Sequence, residues 1–150
     1  MKKTILYLAI FTSIFSCSSD NSNSQVDILF GKWKLTAFVN ETNGTILTEK
    51  DFENSNEIII DFNDDYKFVG TTLLNDFFGT YAIDPTKDLM IFKELFSTEV
   101  NETDWGHLFF ETLNLNYNQS TQNWSNSYKL SGDELKFYYS ENQYMKFEKI

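Results

Sequence analysis

The chain reads as an α+β domain: about eight antiparallel strands in a strongly curved sheet or small barrel, with one helix packed against it. Three observations carry that expectation. Apolar and polar residues alternate with period two through most of the sequence, the mark of half-buried strands. Short segments rich in Asn, Asp and Ser separate the alternating runs, which favours hairpins between antiparallel neighbours. One segment alone has the i, i+3, i+4 spacing of a helix.

The first strand places Trp33, Leu35, Ala37 and Val39 on one face and Lys32, Lys34 and Thr36 on the other. Residues 41–56 are polar and read as a loop with a short extended piece at Thr45–Leu47. Ile58–Phe62 and Tyr66–Thr72 flank the turn Asn63-Asp64-Asp65. Phe78–Ile83 and Leu89–Glu94 flank a second turn, Asp84-Pro85-Thr86-Lys87-Asp88. Trp105, Leu108, Phe109, Thr112 and Leu113 then form one helical stripe over 103–113, with Thr103 and Asp104 suited to its N-terminus. Residues 114–126, rich in Asn, Gln and Ser, read as a long exposed loop. Ser127–Leu130, Leu135–Tyr139 and Tyr144–Glu148 complete the set, joined through Ser131-Gly132-Asp133 and Glu141-Asn142. A lone amphipathic helix must bury its stripe against the sheet. Phe137, Tyr138 and Tyr139 are consecutive, so one side of that strand faces the core and the other meets the helix, a ligand or a partner.

The first residues carry a different message. Lys2 and Lys3 precede an apolar run of eleven residues, Ile5–Phe15, and then Ser16 and Cys17. As a helix the run would span about 16 Å, half a hydrocarbon core, so it fits a signal rather than a membrane span. It resembles a bacterial lipoprotein signal over 1–16, with Cys17 as the acylated first mature residue. Residues 17–25 then serve as a polar tether, and 26–150 as the domain. Two or three acyl chains at about 0.8 kcal/mol per buried methylene hold a protein on a membrane nearly permanently. The expected location is the cell envelope, at the outer membrane, with the membrane engaged through Cys17.

Composition excludes some functions. The net charge is −10, and removal of Lys2 and Lys3 makes it −12; all twelve basic residues are lysines. Without arginine, and with this charge, nucleic acid is not an expected partner. Cys17 is the only cysteine, so the domain has no intramolecular disulfide and stands on its apolar core.

No constellation for catalysis is expected, and neither is a metal or cofactor. The sole histidine, His107, sits four residues before Glu111 on the polar side of the helix and reads as solvated. Asp61-Phe62-Asn63-Asp64-Asp65 opens like a calcium loop, but Tyr66 stands where the glycine belongs and Thr72 where the closing glutamate belongs. The acid pairs Asp64/Asp65 and Asp133/Glu134 lie in turns. The aromatic set has more reach. Trp33, Phe68, Phe78, Tyr81, Phe92, Phe137 and Tyr139 line the expected barrel interior, either filling it as core or leaving a pocket for a hydrophobic molecule.

Leu74-Asn75-Asp76-Phe77-Phe78-Gly79-Thr80-Tyr81 resembles the Cys-Asn-x-x-x-Gly-x-Tyr motif of the META domain, the HslJ-like lipoprotein family. Gly31-Lys32-Trp33-Lys34-Leu35 resembles its opening strand, and Thr98 its threonine before the helix; the likeness runs over about 30–149. Asn75, Gly79 and Tyr81 are the motif positions. Leu74 and Glu102 stand where the family has cysteines, so no family disulfide is implied. Read as residues, Asn75 can cap a turn with its side chain, Gly79 allows close backbone approach and Tyr81 offers an apolar ring with a polar tip, all fold-keeping roles. The resemblance implies an envelope or secreted protein linked to stress and drug resistance, with a binding or envelope-stress supporting role. Gly31-Lys32-Trp33 also matches the Gly-x-Trp that opens lipocalins, whose barrels carry small hydrophobic ligands. Three roles follow as expectations: a non-catalytic envelope lipoprotein, a hydrophobic-ligand carrier, or a module that offers a strand edge or residues 114–126 to an envelope protein.

Overall fold

Alternation in the sequence becomes a closed ring of strands. A computed structural model describes residues 29–98 and 100–150. The signal, Cys17 and the tether lie outside the described residues, as does the start of the domain at 26–28. The strands are β1 (Gly31–Asn40), β2 (Thr45–Leu47), β3 (Ile59–Phe62), β4 (Lys67–Thr71), β5 (Asp76–Asp84), β6 (Leu89–Ser97), β7 (Tyr117–Asn118), β8 (Asn123–Ser131), β9 (Glu134–Ser140) and β10 (Gln143–Lys149). Among the described residues an α-helix, α1 (Asp104–Asn114), lies between β6 and β7, and a single 3-10 turn spans Glu49–Asp51.

All pairings are antiparallel. The order β1-β3-β4-β5-β6-β8-β9-β10 returns to β1 through the pairs Trp33↔Lys149 to Asn40↔Gln143, so eight strands form the ring. Two short strands extend it: β2 pairs with the second half of β1, and β7 with the start of β8. Register shifts at Leu35/Ala37, Thr80/Tyr81 and Gln143/Tyr144 supply the bends that closure needs.

The shift in β1 corrects the expected face of that strand. Trp33 and Leu35 point inward, but beyond the bulge Phe38 takes the inward place and meets Trp105, with ring centroids 5.0 Å apart. Val39 lies opposite Tyr144 and Ile46 instead. Residues 114–126 are also not one exposed loop: β7 and the first residues of β8 fall there, and Asn126 is buried. A polar composition concealed them, because β8 alternates Ser and Asn on positions where apolar residues were sought.

The interior is filled by rings. Phe62 packs on Tyr81 at 5.1 Å, Phe68 on Phe92 at 5.1 Å, Phe92 on Phe137 at 6.0 Å and Phe137 on Phe147 at 5.2 Å. These separations match the tilted and edge-on geometries that aromatic pairs prefer. Two glycines make room: a methyl on Gly70 would collide with the Phe77 ring, and one on Gly79 with the Glu94 carbonyl oxygen. Helix α1 caps the barrel. Thr103 accepts a hydrogen bond from Gly106 N at 3.2 Å, and the expected stripe buries Trp105, Phe109, Thr112 and Leu113. Phe109 reaches Phe77 at 5.3 Å, and Trp105 reaches Phe52 at 5.3 Å.

Candidate functional site

The motif residues Asn75, Gly79 and Tyr81 form a structural knot rather than a reaction site. Asn75 is buried just before β5. Its Nδ2 donates to Val100 O at 2.9 Å and to Glu102 Oε2 at 2.8 Å; its Oδ1 accepts from Val100 N at 3.0 Å and Thr98 Oγ1 at 2.8 Å. Thr72 adds a bond from its hydroxyl to Glu102. The amide therefore staples the β4–β5 connection to the segment leading into α1, a longer reach than the local turn cap read from sequence. Gly79 lets β5 and β6 approach. Tyr81 buries its ring and donates its hydroxyl to Asn63 O at 3.0 Å. Burial pushes its phenol pKa up, with Tyr66, Asp65 and Asp64 adding to the effect, so it is neutral at physiological pH.

The aromatic residues assigned to an interior pocket part ways. Trp33, Phe68, Phe92 and Phe137 are inside; the three phenylalanines pack against other rings, and Trp33 donates its Nε1 to Leu29 O at 2.7 Å. Phe78 is not: the strand parity that sends Phe77, Gly79 and Tyr81 inward sends Phe78 out, where it is 50% exposed. The pair Phe77-Phe78 offers two apolar neighbours, and only packing decides which faces in. Tyr139 ends the inward row of β9, half-buried beside α1, and burial pushes its phenol pKa up.

Two outer surfaces stand out. One is a cross-strand row, Lys32–Asp61–Val69–Phe78–Phe96, running over β1, β3, β4, β5 and β6. Phe78 and Phe96 lie 5.6 Å apart and are both half exposed or more, beside a groove that Ile59 also lines. The other lies on β8, β9 and β10. There Lys129, Lys136 and Lys146 are cross-strand neighbours, a repulsive arrangement by itself. It is relieved by Glu134, 3.3 Å from Lys136 and 3.0 Å from Lys146, and by Glu148, 3.3 Å from Lys146. The hydrogen bond from Lys146, followed by that from Lys136, holds the Glu134 carboxyl below its ordinary pKa. Lys129 sits 5.2 Å over the Tyr138 ring and Lys136 4.7 Å over that of Tyr144.

Next to this lysine–tyrosine face opens a cleft of about 470 Å³, walled by β8, β9, Asn116, the β5–β6 turn and Glu141. Sequence reading missed it. The available signal was the run Phe137-Tyr138-Tyr139, in which Tyr138 and Tyr139 both reach the cleft.

Other candidates resolve as surface chemistry. His107 and Glu111 form an exposed pair at 2.9 Å. Asp65 binds Lys67 at 2.6 Å in the β3–β4 turn. Among the described residues no three His, Cys, Asp or Glu side chains gather as a metal site. None of the described helices is long and apolar enough to cross a membrane.

These features define a closed antiparallel barrel with a ring-packed interior, one capping helix and aromatic and charged surfaces on its outside. Two solved structures share that fold. A protein from Burkholderia xenovorans, solved by NMR, is 14% identical with a TM-score of 0.58, covering 100% of this chain and 99% of its own. A DUF4847-family protein from Bacteroides vulgatus is 17% identical with a TM-score of 0.55, covering 82% of this chain and 96% of its own. No protein-family model and no curated protein matches the chain.

Proposed function

We propose that the chain is a lipid-anchored, non-catalytic protein of the bacterial cell envelope, held at the outer membrane through Cys17, whose META-like barrel binds its partner at the outer surface. The observation that carries the binding half is the division of the rings. Phe62, Phe68, Phe92, Phe137 and Phe147 stack inside the barrel, whereas Phe78 and Phe96 lie half exposed or more on an outward row and Tyr138 is partly exposed on another. A carrier would keep its apolar surface for the cup; here the rings inside engage one another. The META-like reading is supported by the 2.8 Å bond between Asn75 and Thr98, two positions that the resemblance singled out from separate parts of the chain.

The anchor half rests on the order of the first seventeen residues. Growth with an alkyne fatty acid followed by click detection tests it. Wild-type protein takes up label and partitions with membranes; Cys17→Ser takes up none. Equal labelling of both, or none of either, contradicts the anchor.

A further inference from the structure

We infer that the cleft between β8, β9 and the β5–β6 turn is a carbohydrate-binding site. Six hydroxyl-bearing residues line it: Ser125, Ser127, Tyr128, Tyr138, Tyr139 and Ser140. No side-chain hydrogen bond among the described residues engages any of the six hydroxyls, although the Tyr128 residue is only 5% exposed. Burial first, and then the nearby Asp88 carboxylate, push the Tyr128 phenol pKa up, so this hydroxyl stays neutral and both donates and accepts.

The wall has polar depth as well. Asn116 borders the cleft and its Nδ2 donates to Asn126 Oδ1 at 2.6 Å, one layer further into the barrel. There Asn126, 1% exposed, leaves its Nδ2 without a partner among the described residues. Asn126 lies behind the lining and orients Asn116, which borders the cleft.

The chemistry of that lining selects a ligand class. Hydroxyl groups that donate and accept match a partner that does both at many positions, which a sugar ring does. The Tyr138 and Tyr139 residues add apolar carbon to the same lining, so the cleft is amphipathic, as a sugar is. Lys87 and Lys129 are offset in the same cleft by Asp88 and Glu141, so charge does not favour a simple anion. The volume, about 470 Å³, lies within the range of ordinary ligand sites.

The inference deepens the outer-surface reading above and rests on it for where the glycan is met. Full-length protein in detergent is titrated calorimetrically with three probes: an N-acetylglucosamine oligomer, a neutral β-glucan oligomer and an oligogalacturonate. At least one gives saturable binding, and the one that binds distinguishes a cell-wall-type glycan from a neutral or an acidic surface polysaccharide. Ser127→Trp and, separately, Ser125→Leu fill the cleft from its outer side and weaken that binding at least tenfold. Lys67→Gln, at the exposed β3–β4 turn and away from the cleft, leaves it within twofold. Thermal melts identify which cleft variants are folded. Absence of binding to all three probes, or undiminished binding by a folded cleft variant, overturns the site. Mass analysis of the N-terminal peptide reports Cys17 acylation from the same preparation. An unacylated chain that binds glycan removes the anchor and leaves the site standing, while an acylated chain that binds none does the reverse.

Discussion

Replacing Asn75 by alanine tests whether the β4–β5 connection is held by one amide. The substitution removes two donations and two acceptances at 2.8–3.0 Å from a side chain that is 4% exposed. Three of these bonds join neutral groups and contribute about 1 kcal/mol each; the bond to the Glu102 carboxylate contributes about 2 kcal/mol. Val100 and Thr98 are exposed and regain water, so the expected loss is roughly 3 kcal/mol. For a domain of this size that is a fall in Tm of about 10 °C. Urea unfolding followed by tryptophan fluorescence measures it. Asn75→Asp sharpens the test. It keeps an acceptor for Val100 N but loses both donors and sets a second carboxylate against Glu102. It should therefore be the less stable variant at pH 7 and recover relative to alanine as the pH falls below the carboxylate range. A loss below about 1 kcal/mol for Asn75→Ala would refute the staple.

Gly79→Ala drives a methyl into the Glu94 carbonyl oxygen and should cost about 3 kcal/mol, read as a lower urea midpoint, because backbone rather than a flexible side chain must give way. Phe92→Ala empties the centre of the ring stack and should cost about 4 kcal/mol. Phe78→Ser, on the outward row, should change stability by no more than about 0.5 kcal/mol in the same assay. Glu134→Gln removes a carboxyl whose folded pKa is depressed by Lys146 and Lys136. Its stabilisation is present above the ordinary carboxylate pKa and fades as pH falls through the lowered value. The two proteins should thus differ by at most about 1 kcal/mol at pH 7 and converge once the pH has fallen below the depressed Glu134 value, in parallel urea titrations.

Much of the barrel was legible in the sequence because alternation and turn chemistry act locally. The hairpin at Asn63-Asp64-Asp65, the hairpin at Asp84–Asp88 and the capped stripe of α1 all stand where the pattern placed them. What stayed hidden depends on packing at a distance. The bulge between Leu35 and Ala37 leaves no local mark, yet it sends Phe38 rather than Val39 inside. Phe77 and Phe78 are equivalent until the strand is placed on the ring. Serines and asparagines of β8 looked like loop residues, since a strand with few apolar positions resembles a linker until its neighbours pair with it. The cleft was illegible for the same reason. Its hydroxyls come from β8 and β9, and only the register Ser127↔Tyr138 brings them together.

The central claim is that the barrel interior belongs to the protein's own rings and that ligands meet its outside. Methyl-labelled Met90 and Met145, both fully buried, report on that interior directly. Their NMR signals are followed while the protein is exposed to xenon and then to a twelve-carbon alkyl chain. The account predicts that neither methyl shifts in a saturable way. Saturable shifts of Met90 and Met145 with the alkyl chain would reveal a lipid cup at the heart of the barrel and contradict it.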